Sequence, residues 1–245
     1  MTAPPRPVHP RQEPLPLVLV PGMLCSPRLF AEQLPQLWRH GPVMVADIRH
    51  DDSLPALARR LLGTAPPRFA LAGLSMGGYV AFEVMRQAGH RVSRLALLDT
   101  TARPDTPQKR EGRRGHAELA RAGRLGELSD LLFPRYFHDP EADDGARRAL
   151  VRLMAEETGA DAYLRQLGAV ADRPDSRSGL AAIHCPTLVL VGASDGVTPP
   201  DRAAEIANGI PGARLVTVPE CGHLSTLDRP REVTRALVSW ARDRE

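Results

Sequence analysis

Phe69-Ala70-Leu71-Ala72-Gly73-Leu74-Ser75-Met76-Gly77-Gly78-Tyr79 is the stretch on which the reading of the chain turns. An apolar run, Phe69 to Leu74, enters it with the length of a buried strand, and a helical pattern, Met76 to Ala88, leaves it. Between them a serine has a glycine two positions away on each side. A strand that turns at once into a helix crowds the side chains around the turn. Glycine at 73 and 77 relieves that crowding and lets Ser75 take a strained backbone conformation. The hydroxyl then stands at a strand end and a helix N-terminus, where free N–H groups and the helix dipole favour developing negative charge.

Upstream, Leu17-Val18-Leu19-Val20 reads as a fully buried strand, followed by the loop Pro21-Gly22-Met23-Leu24-Cys25. Ser26-Pro27 predicts a capped helix carrying Leu29, Phe30, Leu34 and Leu37 and ending near Gly41-Pro42. Val43 to Ala46 is a second strand, and Ser53 predicts the cap of a helix closed by Gly63. Downstream of the Ser75 turn, Leu95 to Leu98 is a fourth strand. From 100 to 184 strand-like runs vanish, and charged helical patterns appear around 114–123, 125–133, 143–157 and 160–171. Strands return at Thr187 to Val191 and Arg214 to Val218, around a helix ending near Gly209, and a last helix covers Glu232 to Trp240. Alternating strand and helix predicts an α/β fold: a mostly parallel sheet of about six strands with helices on both faces. The expected organisation is a flexible proline-rich tail (1–14), a core (15–99 and 185–245) and a helical cap (100–184) whose length suggests a lid.

Composition narrows the function. The chain has 245 residues, ample for one large α/β domain. Lysine and arginine number 32 against 29 acids, but Lys109 is the only lysine, and the arginines are spread along the chain among Asp and Glu. That is the pattern of a solvated surface, and no nucleic-acid partner is expected. No run reaches the ~18 apolar residues of a membrane span, and the tail lacks the apolar segment of a secretory signal. Cys25, Cys185 and Cys221 cannot all pair and form no CxxC, which favours a reducing compartment, the cytoplasm. No metal-ligand spacing or phosphate-binding loop occurs, so no cofactor and no metal is expected. The sequence is compatible with a homo-oligomer but selects no oligomeric state.

Ligands of open α/β sheets gather at the carboxyl ends of the strands. Three chemistry-bearing residues fall there: Ser75; Asp195 in Gly192-Ala193-Ser194-Asp195-Gly196; and His223 in Gly222-His223-Leu224. Asp99 also ends a strand and is the rival acid, with turn stabilisation in Asp99-Thr100-Thr101 as its simpler role. Asp47 reads as a turn residue, Cys25 and Cys221 as packing beside the site, and His138 and His184 as solvated or core histidines.

The order Ser75, Asp195, His223 together with Gly-Leu-Ser-Met-Gly-Gly resembles the α/β-hydrolase superfamily, in particular small bacterial carboxylesterases and enol-lactonase-like members. The resemblance covers nearly the whole chain from Leu15. It implies a serine hydrolase acting on a small-molecule ester or related acyl substrate with water. His223 would be general base and acid, and Asp195 the orienting acid. The oxyanion would be bound by the backbone N–H groups of Met76 and, by resemblance, Met23. Many relatives carry His-Gly where this chain has Pro21-Gly22; backbone donors do not need that histidine. Lactones, thioesters, C–C bonds beside a carbonyl and perhydrolysis are alternatives for the same triad, and a non-catalytic binding module would have lost part of it. Leu132, Phe133, Leu150, Met154 and Leu164 are candidates for an apolar pocket wall, but their helical spacing favours the core of the cap. Only 4% of residues are aromatic, which favours aliphatic or small substrates.

Overall fold

The computed structural model describes residues 15–142 and 145–242; the tail expected at 1–14 lies outside the described residues. Six strands form one sheet: β1 (Leu17–Val20), β2 (Val43–Val45), β3 (Phe69–Leu74), β4 (Val92–Leu98), β5 (Thr187–Gly192) and β6 (Arg214–Val218). Their order is β2-β1-β3-β4-β5-β6, and every ladder is parallel. Strands buried on both faces need apolar residues throughout, which is why β1, β3 and β5 read as continuous runs rather than alternations.

The period of two sorts those residues into two cores. Val18, Val20, Leu71, Leu95, Leu97, Val189 and Val191 face one layer of helices: α2 (Leu54–Thr64), α3 (Met76–Ala88) and α8 (Pro200–Gly209). Leu17, Leu19, Ala70, Ala72, Leu98, Leu188 and Leu190 face the other, where α1 (Leu34–Leu37) and α10 (Pro230–Arg242) pack through Leu37, Val233, Leu237 and Trp240. Between β4 and β5 run α4 (Pro107–Arg121), α5 (Leu125–Leu132), α6 (Ala146–Thr158) and α7 (Ala160–Ala171), with no strand among the described residues there. Ala117, Ala120, Leu128, Ala155, Tyr163 and Leu167 of these helices close a third, smaller core around Leu24 of the loop after β1. A short helix, α9 (Ser225–Asp228), follows His223.

The expected helix from Ser26 to Gly41 is instead broken into pieces. Ser26 does cap, accepting from the Arg28 N–H, but only a 3-10 turn over Pro27–Phe30 follows, then α1, then a 3-10 turn at Trp38–His40. Pro35 explains the break: it offers no N–H, and its ring would collide with a carbonyl one turn back. Ser53 sits at the cap position of α2 without a side-chain cap bond, and Gly63 lies inside that helix rather than closing it. None of the described helices is long and apolar enough to cross a membrane.

Candidate active site

Four non-glycine residues among those described have left-handed backbone: Leu24 (φ 60°), Ser75 (φ 54°), Asp99 (φ 46°) and Glu220 (φ 49°). They follow β1, β3, β4 and β6. Such conformations cost of order 1–3 kcal/mol each and persist where the surroundings enforce them. At Ser75 the enforcing contacts are visible. Its N–H donates to the Leu98 carbonyl at 2.9 Å, and its own carbonyl accepts from the Gly78 N–H at 2.9 Å and from Thr100 Oγ1 at 2.7 Å. The flanking glycines are required by space rather than by backbone angle. A Cβ on Gly73 would stand 2.2 Å from the Gly77 carbonyl oxygen, and one on Gly77 would stand 2.1 Å from that of Val20. Helix α3 is thereby seated directly against β1 and β3.

The structure brings Ser75, His223 and Asp195 into one line. Ser75 Oγ lies 2.9 Å from His223 Nε2, and His223 Nδ1 lies 2.8 Å from Asp195 Oδ2. Asp195 is buried, and its oxygens are well satisfied. Oδ1 accepts from the N–H groups of Val197 (2.8 Å) and Thr198 (2.9 Å), and Oδ2 also accepts from Thr198 Oγ1 (2.7 Å). Burial pushes the Asp195 carboxyl up, but the charge of His223 and the bonds from His223 and Thr198 outweigh it and hold the pKa below the ordinary value. Burial pulls the His223 pKa down; the charge and hydrogen bond of Asp195 more than reverse it and leave it raised.

Asp99 does not share this line. It is fully buried, its Oδ1 accepts from the Gly192 N–H at 3.0 Å, and its Oδ2 is hydrogen-bonded to Ser225 Oγ. The turn role expected within 99–101 is therefore replaced by a tie from β4 across β5 to α9. Burial and the Asp195 charge push its pKa up to about 8. Asp47 is a turn residue, half-exposed and bonded to Arg49 and His50. Cys25 and Cys221 are buried, and burial raises both thiols, so neither offers a thiolate. His138 is exposed and bonded to Ser194 Oγ at 2.7 Å.

A cavity of about 610 Å³ opens above Ser75, lined by Met23, Met76, His223 and the inner faces of α4, α5 and α7. The cavity wall and the packed helix faces use different residues. Of the five apolar candidates only Leu132 lines it; Phe133, Leu150 and Met154 pack in the core beside α10, and Leu164 packs in the third core. Their helical spacing marked the packed faces of the helices, not the cavity. Aromatic residues are few, yet all three tyrosines of the chain (Tyr79, Tyr136 and Tyr163) line the cavity, and Tyr136 stacks beside His223 with centroids 6.2 Å apart.

Gln166 was not anticipated from the sequence. It is fully buried on α7, accepts the Leu24 N–H on Oε1 at 3.0 Å, and sends Nε2 to the Ile48 carbonyl at 3.4 Å. A signal for it existed: Gln166 is the polar member of the otherwise apolar face Ala162, Tyr163, Leu167, Ala169 and Val170.

The sequence matches the alpha/beta hydrolase family over residues 17–236. The chain belongs to that family. Among curated proteins it is 32% identical over 180 residues to the AB hydrolase superfamily protein YisY of Bacillus subtilis, covering 70% of this chain and 65% of that protein. Among solved structures, a thermophilic esterase from Thermogutta terrifontis with malate bound superposes with a TM-score of 0.85 at 32% identity, over 94% of this chain and 90% of that one. The enol-lactonase from Burkholderia xenovorans superposes with a TM-score of 0.84 at 26% identity, over 96% and 94%. Relatives and structural neighbours named as hydrolase, esterase and enol-lactonase support an enzyme.

Proposed function

We propose that this hydrolase cleaves carboxylic esters through an acyl-enzyme on Ser75. The observation that carries the reading is the continuous hydrogen-bond line Ser75–His223–Asp195 at the floor of the cavity. Serine is a poor nucleophile at neutral pH and needs a base within hydrogen-bond reach. His223 Nε2 takes the Ser75 proton as Oγ attacks the ester carbonyl. The tetrahedral oxyanion is held by the N–H groups of Met23 and Met76, and the ester C–O bond breaks as His223 returns the proton to the leaving alcohol. Water then attacks the acyl-enzyme by the same route in reverse order. Asp195 fixes the imidazole tautomer and stabilises the imidazolium without being protonated. Residues 100–184 act as a cap over the core of 15–99 and 185–245, and water and the ester are the only partners the reaction needs.

Ser75→Ala tests this. The variant should lose at least ~10³-fold in kcat on activated esters, as for a triad member, and should no longer be labelled by a fluorophosphonate probe. Undiminished turnover in folded Ser75→Ala would refute the reading. The likeness to an enol-lactonase favours one variation, ring-opening of a lactone by the same groups. A lactone preferred over every linear ester of matched acyl length would select it.

A further inference from the structure

The cavity wall is charged in one sense only. Lys109, Arg113 and Arg135 line it, and among the described lining residues there is no aspartate or glutamate. Two of these cations are weakly committed to the protein. Arg135 has no hydrogen-bond or ion-pair partner among the described residues, and Lys109 Nζ reaches only the Val197 carbonyl, at 3.4 Å. Arg113 is fixed: it binds Asp105 through Nε at 2.6 Å and a second nitrogen at 3.3 Å. Asp105, however, also takes Nη1 of the buried Arg173 at 2.6 Å, so one carboxylate serves two guanidinium groups and a net positive charge remains.

The field of these groups reaches the reacting centre. Burial lowers the His116 pKa, and the charges of Arg113 and Arg135 lower it further, so His116 is neutral beside them. Burial raises the three cavity tyrosines, and the charge of Arg113 opposes that rise at each. Arg135 acts on His223 itself, against its protonation. Cations gathered in a concave, low-dielectric wall focus their field into the cavity and recruit a complementary charge. Guanidinium groups suit a flat two-oxygen anion because they can meet both oxygens at once.

We infer that the cavity selects an ester whose acyl group ends in a carboxylate, with Arg135 as the principal anion partner and Arg113 and Lys109 beside it. This rests on the acyl-enzyme reading above. In the bound acid ester the carbonyl carbon lies over Ser75 and the carboxylate points to the wall formed by α4 and the turn after α5. Arg113, held in place by Asp105, orients the anion; Arg135, exposed and unpartnered, meets it as it enters.

The test compares three p-nitrophenyl esters of matched acyl length: one ending in methyl, one in carboxylate and one in trimethylammonium. For the wild-type protein at low ionic strength, kcat/KM should be about tenfold or more higher for the carboxylate than for the methyl ester, the range of one charge-assisted hydrogen bond. The ammonium ester should be the poorest, and the gaps should narrow as salt screens the field. Arg135→Gln should bring the carboxylate-to-methyl ratio toward one, and Arg135→Lys should restore part of it. Hydrolysis of the methyl ester with no carboxylate preference, or with an equal gain for the ammonium ester, would overturn this inference and leave the acyl-enzyme reading standing. An Arg135→Gln ratio equal to wild type would remove Arg135 from the role. No hydrolysis of any of the three by folded protein would overturn the acyl-enzyme reading, and this inference with it.

Discussion

Replacing Gln166 with methionine keeps the length of the side chain and deletes both of its hydrogen bonds. In the native protein those bonds hold the Leu24 N–H at 3.0 Å and the Ile48 carbonyl at 3.4 Å, both inside the core. A buried backbone group left unpaired costs about 1–3 kcal/mol; the Leu24 bond is the better formed, so the two together cost roughly 2–4 kcal/mol in stability. The catalytic consequence is separate. Leu24 is held at φ 60°, a conformation that costs about 1–2 kcal/mol for a residue with a Cβ. Once its N–H is released, the loop can relax, and the preceding peptide carries the Met23 N–H. Loss of an oxyanion donor costs about 2.7–4 kcal/mol in the transition state; a donor displaced rather than deleted should cost about 10–100-fold in kcat with KM little changed. Urea unfolding measures the first effect and initial rates on an activated ester below the unfolding range measure the second. A variant that loses the expected stability but keeps kcat within about twofold would show that Gln166 only packs, and that the link from α7 to the oxyanion loop is wrong.

The pH profile of kcat/KM should rise through an acid limb centred above the ordinary imidazole value of about 6.5, because His223 must be neutral to act as base and its pKa is raised. Asp195→Asn removes the group that raises it, so the limb should move to lower pH while kcat drops by ~10⁴, as for a triad with the wrong tautomer. Asp105→Asn leaves the buried Arg173 without its carboxylate and should cost about 3–5 kcal/mol in urea unfolding, as when one partner of a buried pair is removed; an unchanged midpoint would contradict the shared-carboxylate arrangement. Burial raises the Asp105 pKa and Arg113 and Arg173 more than offset it, leaving it lowered, so its contribution to stability is present above its unfolded value and is lost as pH falls through the folded one. Asp99→Asn should keep kcat within a few-fold of wild type, and a loss comparable to that of Asp195→Asn would move the orienting role to Asp99.

The strands themselves and the placing of Ser75 were legible because both rest on local rules. A doubly covered strand must be apolar throughout, and a turn as tight as that at Ser75 tolerates only glycine at 73 and 77, where a Cβ would stand 2.2 and 2.1 Å from a carbonyl oxygen. The break at Pro35 follows an equally local rule, and the sequence reading passed over it. The cavity wall was not legible, because a helical face reports that it is buried without reporting against what. Phe133 and Met154 lie on such faces and pack in the core beside α10, while Arg113 and Arg135, taken as surface charges, line the cavity. Arginines 22 residues apart in sequence meet there only because α4 and α5 fold onto the same loops, and composition carries no trace of that.

Two buried carboxylates lie close enough to influence one imidazole, and their surroundings sort them. Asp195 receives two backbone N–H groups, a hydroxyl and the imidazole, so its negative form is solvated by the protein. Asp99 has one backbone N–H and one hydroxyl, no hydrogen bond to the imidazole, and the Asp195 charge against it. Like charges in one low-dielectric site cannot both be held, so the better-solvated group ionises and the other keeps its proton. With Asp99 raised to about 8, a single negative charge stands behind His223 at neutral pH. The linkage has a definite sign. A carboxyl with a folded pKa above its unfolded value near 4 binds a proton more tightly when folded, so stability falls as pH rises across that interval. Asp99→Asn can accept from Gly192 and donate to Ser225 without that titration, and it should therefore gain on wild type in stability between about pH 4 and 8. The position after β4 is thus kept as a neutral tie between β5 and α9, and the acid after β5 keeps its negative charge beside His223.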